Sequence, residues 1–209
     1  MKMVSIIAGM VLFANAFTAP AQTLTVNVSD QNGQPVSGAV ISFTPISQSP
    51  IAPNADSEVV VRQKDLQFQP FTTLAPVGSK VTFKNEDDVL HHVFSFSKTK
   101  RFNLTLFGRD EPQSVIFENA GIVTVGCNIH DGMIAHIFIA DAPFAAQSDE
   151  DGTVSIEDVP AGPGQLVVWH PLMRERKNRL FQEITITADM AQVDISTKLR
   201  KGIRRSSDY

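Results

Sequence analysis

Apolar and polar residues alternate with a period of two along much of this chain, as in strands that turn one face to a core. In L-T-V-N-V-S-D-Q-N-G-Q-P-V-S-G-A-V-I-S-F (24–43), alternating runs flank an Asp-Gln-Asn-Gly turn. The Asn-Gly step tolerates the positive φ angles of a tight turn, so the segment predicts a hairpin-like pair of strands. S-D-E-D-G-T-V-S-I-E-D-V-P-A-G-P-G-Q-L-V-V-W-H-P (148–171) has the same character. Between these segments, Ile122–Val125 and Ile134–Ala140 read as strands around a short loop, and a further apolar run follows His91 and His92. Helical signal is scarce: Leu172–Phe181 reads as a short helix or a long basic loop, and Glu183–Leu199 as two last strands around Ala188-Asp189. Residues 200–209 lack apolar periodicity and are expected to be disordered. The pattern predicts an all-β chain.

The first 21 residues break that pattern. Lys2, an apolar stretch from Val4 to Phe13 and Ala-x-Ala at Ala19 and Ala21 together read as a secretory signal peptide, with a mature protein starting near Gln22. That stretch is too short to span a bilayer, and no other run reaches the necessary length, so an exported, periplasmic product without a membrane span is expected. The remainder is long enough for one large β-domain or two small ones. A net charge of −4 argues against a nucleic-acid binder, which needs a basic footprint. The basic residues collect late, at 174–179 and 198–205, while Glu86, Asp87 and Asp88 cluster just before His91. That acidic triplet reads as a solvated turn, and next to an exposed site it also suits the docking of a basic partner.

The single cysteine, Cys127, changes the picture further. A lone cysteine in an exported chain forms no internal disulfide, which leaves a ligand, a reactive thiol or an intermolecular bridge. In G-C-N-I-H-D-G-M-I-A-H (126–136), Cys127, His130 and Met133 follow one another as Cys-x2-His-x2-Met. One loop can therefore aim a thiolate, an imidazole and a thioether at one point. Soft sulfur with imidazole selects copper, and two histidines, a cysteine and a distant methionine make the blue-copper electron-transfer set. The bland alternative is a buried cysteine acting as a small apolar core residue. A second histidine has to come from another strand, and His91, at the entrance of an apolar run, is the candidate.

With these residues in view, 57–141 resembles the cupredoxins of the plastocyanin and amicyanin type. V-G-S-K-V-T-F-K-N (77–85), Asn-x5-His-x-Val (Asn85, His91, Val93) and Cys-x2-His-x2-Met occur in that family's order, with the loop spacing of amicyanin. The N-x-D-x-x-x-H-H-V-F-S-F and G-C-N-I-H-D-G-M blocks resemble periplasmic plastocyanin-like proteins labelled methylamine utilisation proteins. The resemblance implies a Greek-key β-sandwich, with His91, Cys127 and His130 as equatorial ligands and Met133 as axial ligand of one type 1 copper ion. It also implies a one-electron carrier rather than an enzyme, with periplasmic redox proteins as partners and His130 as the exposed ligand inside an apolar surface of Ile129, Met133 and Ile134. His92 stands where the family often has a polar Asn, so either adjacent imidazole remains a candidate. A copper storage or delivery protein and a metal-free binding module on the same framework are the rival readings.

Residues 24–43 and 148–171 resemble the opening and closing strands of one carboxypeptidase regulatory-like, transthyretin-like sandwich. The expected organisation is a signal peptide (1–21), a first regulatory-like part (22–56), the cupredoxin-like region (57–141), a second regulatory-like part (142–199) and a disordered tail (200–209). Pro45–Asp56 is the expected entry linker and Asp141–Gln147 the exit. Unrelated flanking pieces on one enlarged barrel are the alternative layout. His136 is expected at a strand end, Trp169 in packing, and Phe94, Phe96, Phe102, Phe107 and Phe117 in the core.

Overall fold

The computed structural model describes residues 21–46, 57–187 and 192–201. The expected signal peptide up to residue 20, most of the entry linker, the Ala188-Asp189 turn and the tail from residue 202 lie outside the described residues. Among those described, all regular structure is β apart from a single 3₁₀ turn at Arg176–Asn178, and no helix is long and apolar enough to cross a membrane.

Four sheets build two sandwiches. In the first, β3 (Glu58–Lys64), β4 (Gln67–Gln69), β6 (Lys80–Asn85) and β9 (Gln113–Ile116) form one sheet in the order β4-β3-β6-β9. The facing sheet runs β5-β11-β10-β7-β8, from β5 (Thr72–Pro76), β7 (His91–Phe96), β8 (Arg101–Phe107), β10 (Gly121–Gly126) and β11 (Ile134–Ala140). Val61, Val81 and Phe83 from one sheet meet Val93, Val123, Val125, Ile137 and Ile139 from the other in one buried cluster. Alternate residues of each strand point to opposite faces, so each strand's inward set is every second residue.

The second sandwich is made from both ends of the chain. β1 (Ala21–Ser29) lies between β13 (Thr153–Pro160) and β16 (Gln192–Ser196), while β2 (Val40–Pro45) lies between β12 (Phe144–Gln147) and β14 (Gly162–Trp169), with β15 (Arg179–Ile186) outside β14. Val26, Ile41, Phe43, Ile156, Leu166, Val168 and Ile195 share its core.

Several expectations change here. The Asp30–Gln34 turn forms, with the Asp30 carboxylate accepting from the Asn32 and Gln34 amides at 2.8 and 2.9 Å and Gly33 at φ 75°. The turn closes a short antiparallel bridge, Ser29 opposite Pro35, but β1 and β2 do not pair, because the chain crosses at Ser37–Ala39 and places them in opposite sheets. The expected exit linker contains a strand, β12, paired with β2. β15 starts at Arg179, ahead of the expected Glu183, and the segment before it is a loop around the 3₁₀ turn. The Arg200 amide donates to the Leu172 carbonyl at 2.8 Å, so order continues past the expected start of the tail.

The apolar run Ile134–Ala140 is buried on both faces. Ile137 and Ile139 enter the first core, while Phe138 and Ala140 pack with Val40 and Trp169 between the sandwiches. Burying a residue such as Trp169 stabilises by about 4–6 kcal/mol, from roughly 150–250 Å² at about 25 cal/mol per Å². Its Nε1 has no hydrogen-bond partner, a cost of about 1–3 kcal/mol that leaves the contact favourable. Polar bonds add to it: Thr72 Oγ1 donates to the Gly38 carbonyl at 2.8 Å, and Gln147 Nε2 donates to the Thr72 carbonyl at 2.9 Å. Gly38 sits at φ +74°, and a Cβ there would collide with Thr72 Oγ1, so this approach needs glycine.

Candidate metal centre

The β10–β11 connection is a tight loop. Gly126 opposite Ile134 is the last strand pair, the Cys127 amide donates to the Met133 carbonyl at 3.1 Å, and the Met133 amide donates to the His130 carbonyl at 3.4 Å. Gly132 supplies the positive φ of 80° that the return requires. At Gly126 a Cβ would meet the Phe94 ring at 3.2 Å, so glycine lets β7 close against the base of the loop.

His91 comes from the other side, as the first residue of β7 opposite Phe107. The preceding loop is clamped by buried Asn85, whose Nδ2 donates to the Val89 and Phe107 carbonyls at 2.7 and 3.1 Å while its Oδ1 accepts the Asp87 amide at 2.9 Å. Val93 lies in the first core and His91 in the donor cluster, whereas His92, also buried, lies against Phe94 with ring centroids 5.6 Å apart. The pleat therefore separates the two imidazoles.

The result is a convergence of three donors. One ligand atom each from His91, Cys127 and His130 lies within 4.8 Å of the others. His91 Nδ1 is 3.1 Å from His130 Nδ1, and Cys127 Sγ is 3.7 Å from that same nitrogen. Facing imidazole lone pairs repel, so two ring nitrogens at this separation must share a proton or a cation. His91 and Cys127 are buried and His130 is half-exposed, which leaves one imidazole edge toward solvent. Met133 is buried in the same core cluster as Cys127. The donor set, a thiol and two imidazoles with a thioether on the same loop, fits a soft or borderline metal, copper above all.

Asp87 is the residue that sequence reasoning missed. Its Oδ2 lies 2.8 Å from His91 Nε2, and its carboxylate also accepts the Asp65 and Leu66 amides at 2.8 and 3.1 Å. Burial acts to raise its pKa, but the His91 hydrogen bond and the two backbone donors outweigh it and hold the carboxyl below its ordinary value. Its neighbours fit the solvated-turn reading: Glu86 pairs with Arg62 at 3.1 Å and Asp88 with Arg109 at 2.7 Å, all at the surface.

Other expectations are redistributed. Met133 is 3 % exposed and cannot be part of a surface, whereas Ile129 is 48 % exposed, with Val89 and Leu90 similarly open in the loop before His91. Phe107 and Phe117 are core and Phe102 packs against them, but Phe94 is half-buried on the outer face and Phe96 is 78 % exposed. His136 lies inside β11 rather than at its end, 3.0 Å from Thr124 Oγ1, and contacts Phe71 and Trp169 on the face toward the second sandwich. Burial lowers its pKa to about 4, and burial together with His136 does the same for His170.

No family model matches the chain, and no curated protein matches it. Solved structures do. They include a reduced Cu(I) form of an amicyanin variant at pH 4 and the oxidised state of a second amicyanin variant, each 22 % identical, covering 47 % of this chain and 99 % of that chain with a TM-score of 0.38. A purple cupredoxin from Nitrosopumilus maritimus is 21 % identical, covering 41 % of this chain and 100 % of that chain with a TM-score of 0.35. Likeness at this level assigns neither a metal nor a role.

Proposed function

We propose that residues 57–141 form a cupredoxin-type domain that holds one type 1 copper ion and serves as a periplasmic one-electron carrier for other redox proteins. The supporting observation is the convergence of His91, Cys127 and His130 within 4.8 Å. His91 Nδ1, His130 Nδ1 and Cys127 Sγ would hold the ion, with Met133 as a fourth, weaker donor. Bound copper would supply the electron by cycling between Cu(I) and Cu(II). The chain's part is to hold the donors so that little rearrangement accompanies that change. Cys127 and His91 stay out of water, while the half-exposed edge of His130 and the open side chain of Ile129 mark where a partner would approach. The flanking sandwich, drawn from 22–56 and 142–199, would be a regulatory-like docking or anchoring module, and the leader would direct export.

The test is an optical titration of purified protein with Cu(II). Stoichiometric binding with an intense blue or green thiolate charge-transfer band is expected, and Cys127→Ser should abolish that band. A colourless complex in the wild type would exclude the type 1 assignment. Rapid reversible reduction by a redox protein is expected of a carrier; transfer of the metal to an apo acceptor without such exchange would favour copper delivery.

A further inference from the structure

We propose that Asp87 is a positioning residue for His91, fixing which ring nitrogen faces the metal and biasing the site toward the oxidised ion. This deepens the proposed copper reading and rests on it. The His91 ring is fully buried, and a buried ring N–H without an acceptor costs about 1–3 kcal/mol. Asp87 Oδ2 provides that acceptor at 2.8 Å, so the proton sits on Nε2 and the Nδ1 lone pair points at His130 Nδ1 and Cys127.

The carboxylate itself has little freedom. It is tied to the Asp65 and Leu66 amides at the β3–β4 turn and its own amide is tied to Asn85, so that turn and the end of β6 together determine where it points. Of the acidic triplet, Asp87 alone makes this inward contact, and Glu86 and Asp88 face arginines at the surface. A carboxylate on the far nitrogen makes the imidazole a stronger donor and places negative charge near the ion. Both effects favour the more highly charged metal state.

Asp87→Asn keeps the size and removes the charge. It should weaken Cu(II) binding about 10–100-fold, as loss of an outer-shell partner does. Cu(I) should be weakened less, so the reduction potential rises by about 59 mV for each tenfold difference between the two states. Asp88→Asn makes the same charge change at an exposed position and should shift the potential less. In the metal-free chain, ¹⁵N NMR of the His91 ring should show the Nε2–H tautomer in the wild type and a mixture in Asp87→Ala, which, unlike Asn, leaves Nε2 without an acceptor. Because Asp87 also braces the turn, the measurements are repeated in an Asp65→Asn/Leu66→Gly background, where that turn depends on it less. An unchanged His91 tautomer, or a potential shift no larger than that of Asp88→Asn, overturns the assignment. If the wild type takes up no copper, the copper reading fails on its own and the tautomer measurement decides the role of Asp87.

Discussion

His91 and His92 are chemically identical neighbours with different surroundings, and the pleat of β7 is the reason. His91 is in the donor cluster, whereas His92 stacks on Phe94 with its Nδ1 unpartnered. His91→Ala should therefore abolish the coloured Cu(II) complex, and His92→Ala should keep it; a titration giving the reverse would move the site to the other face. Met133 tests the axial position. Leu is close to it in volume, so Met133→Leu should cost less than about 1.5 kcal/mol of stability. It should leave copper bound and raise the potential, because loss of a sulfur donor disfavours Cu(II). Cyclic voltammetry reads this directly, and an unchanged potential would remove Met133 from the site. The convergence of Cys127 and His130 was legible because one loop spaces them, and that of His91 because it opens a strand. Asp87 was not legible, since its direction is set by the β3–β4 turn and nothing in an acidic triplet marks its middle member as inward-facing.

At the scale of elements, period-two alternation identified strands well and partners poorly. The 24–43 segment contains a true turn and two true strands, but β2 finds its partners in β12 and β14. A local pattern carries no information about which distant strand offers the better apolar face. The β3–β4 turn shows local strain of another kind. Asp65 and Leu66 both have positive φ, 54° and 56°, in a two-residue connection where Asn-Gly is the favoured pair. Non-glycine residues there cost about 1–3 kcal/mol each, less for Asp than for Leu. Leu66 is 38 % exposed, so little burial is lost on its removal. Asp65→Asn/Leu66→Gly should thus stabilise the protein by about 1 kcal/mol or more in chemical denaturation, with the copper spectrum unchanged. A lower midpoint would mean that the Leu66 side chain contributes more than its backbone costs.

For the whole molecule, the decisive feature is that the outer face of β11 serves as an inter-sandwich surface. The run Ile134–Ala140 is apolar at nearly every position, and such a run reads the same whether its outer face meets another sandwich or a neighbouring sheet. The resemblance of 24–43 and 148–171 to the opening and closing strands of one sandwich raised the expectation of a second sandwich, but nothing in it signalled the packing of Phe138 against Trp169. The same boundary places His136 and His170 against Phe71, with ring centroids 5.2 and 6.5 Å from it. Burial depresses both to about 4 from an ordinary 6.5. Between those values the unfolded chain binds protons that the folded chain does not, so stability rises with pH and is lost as pH falls from about 6.5 to about 4. Each histidine contributes at most about 1.4 kcal/mol per pH unit, together a few kcal/mol over the window. Urea midpoints of the metal-free protein should therefore fall between pH 7 and pH 4.5, and His136→Gln/His170→Gln should flatten that fall. Carboxylates titrating at the lower end act equally in both proteins, so the difference between the two curves isolates the histidines. Parallel curves would mean that neither imidazole loses its protonated form on folding, and that the boundary between the sandwiches admits water.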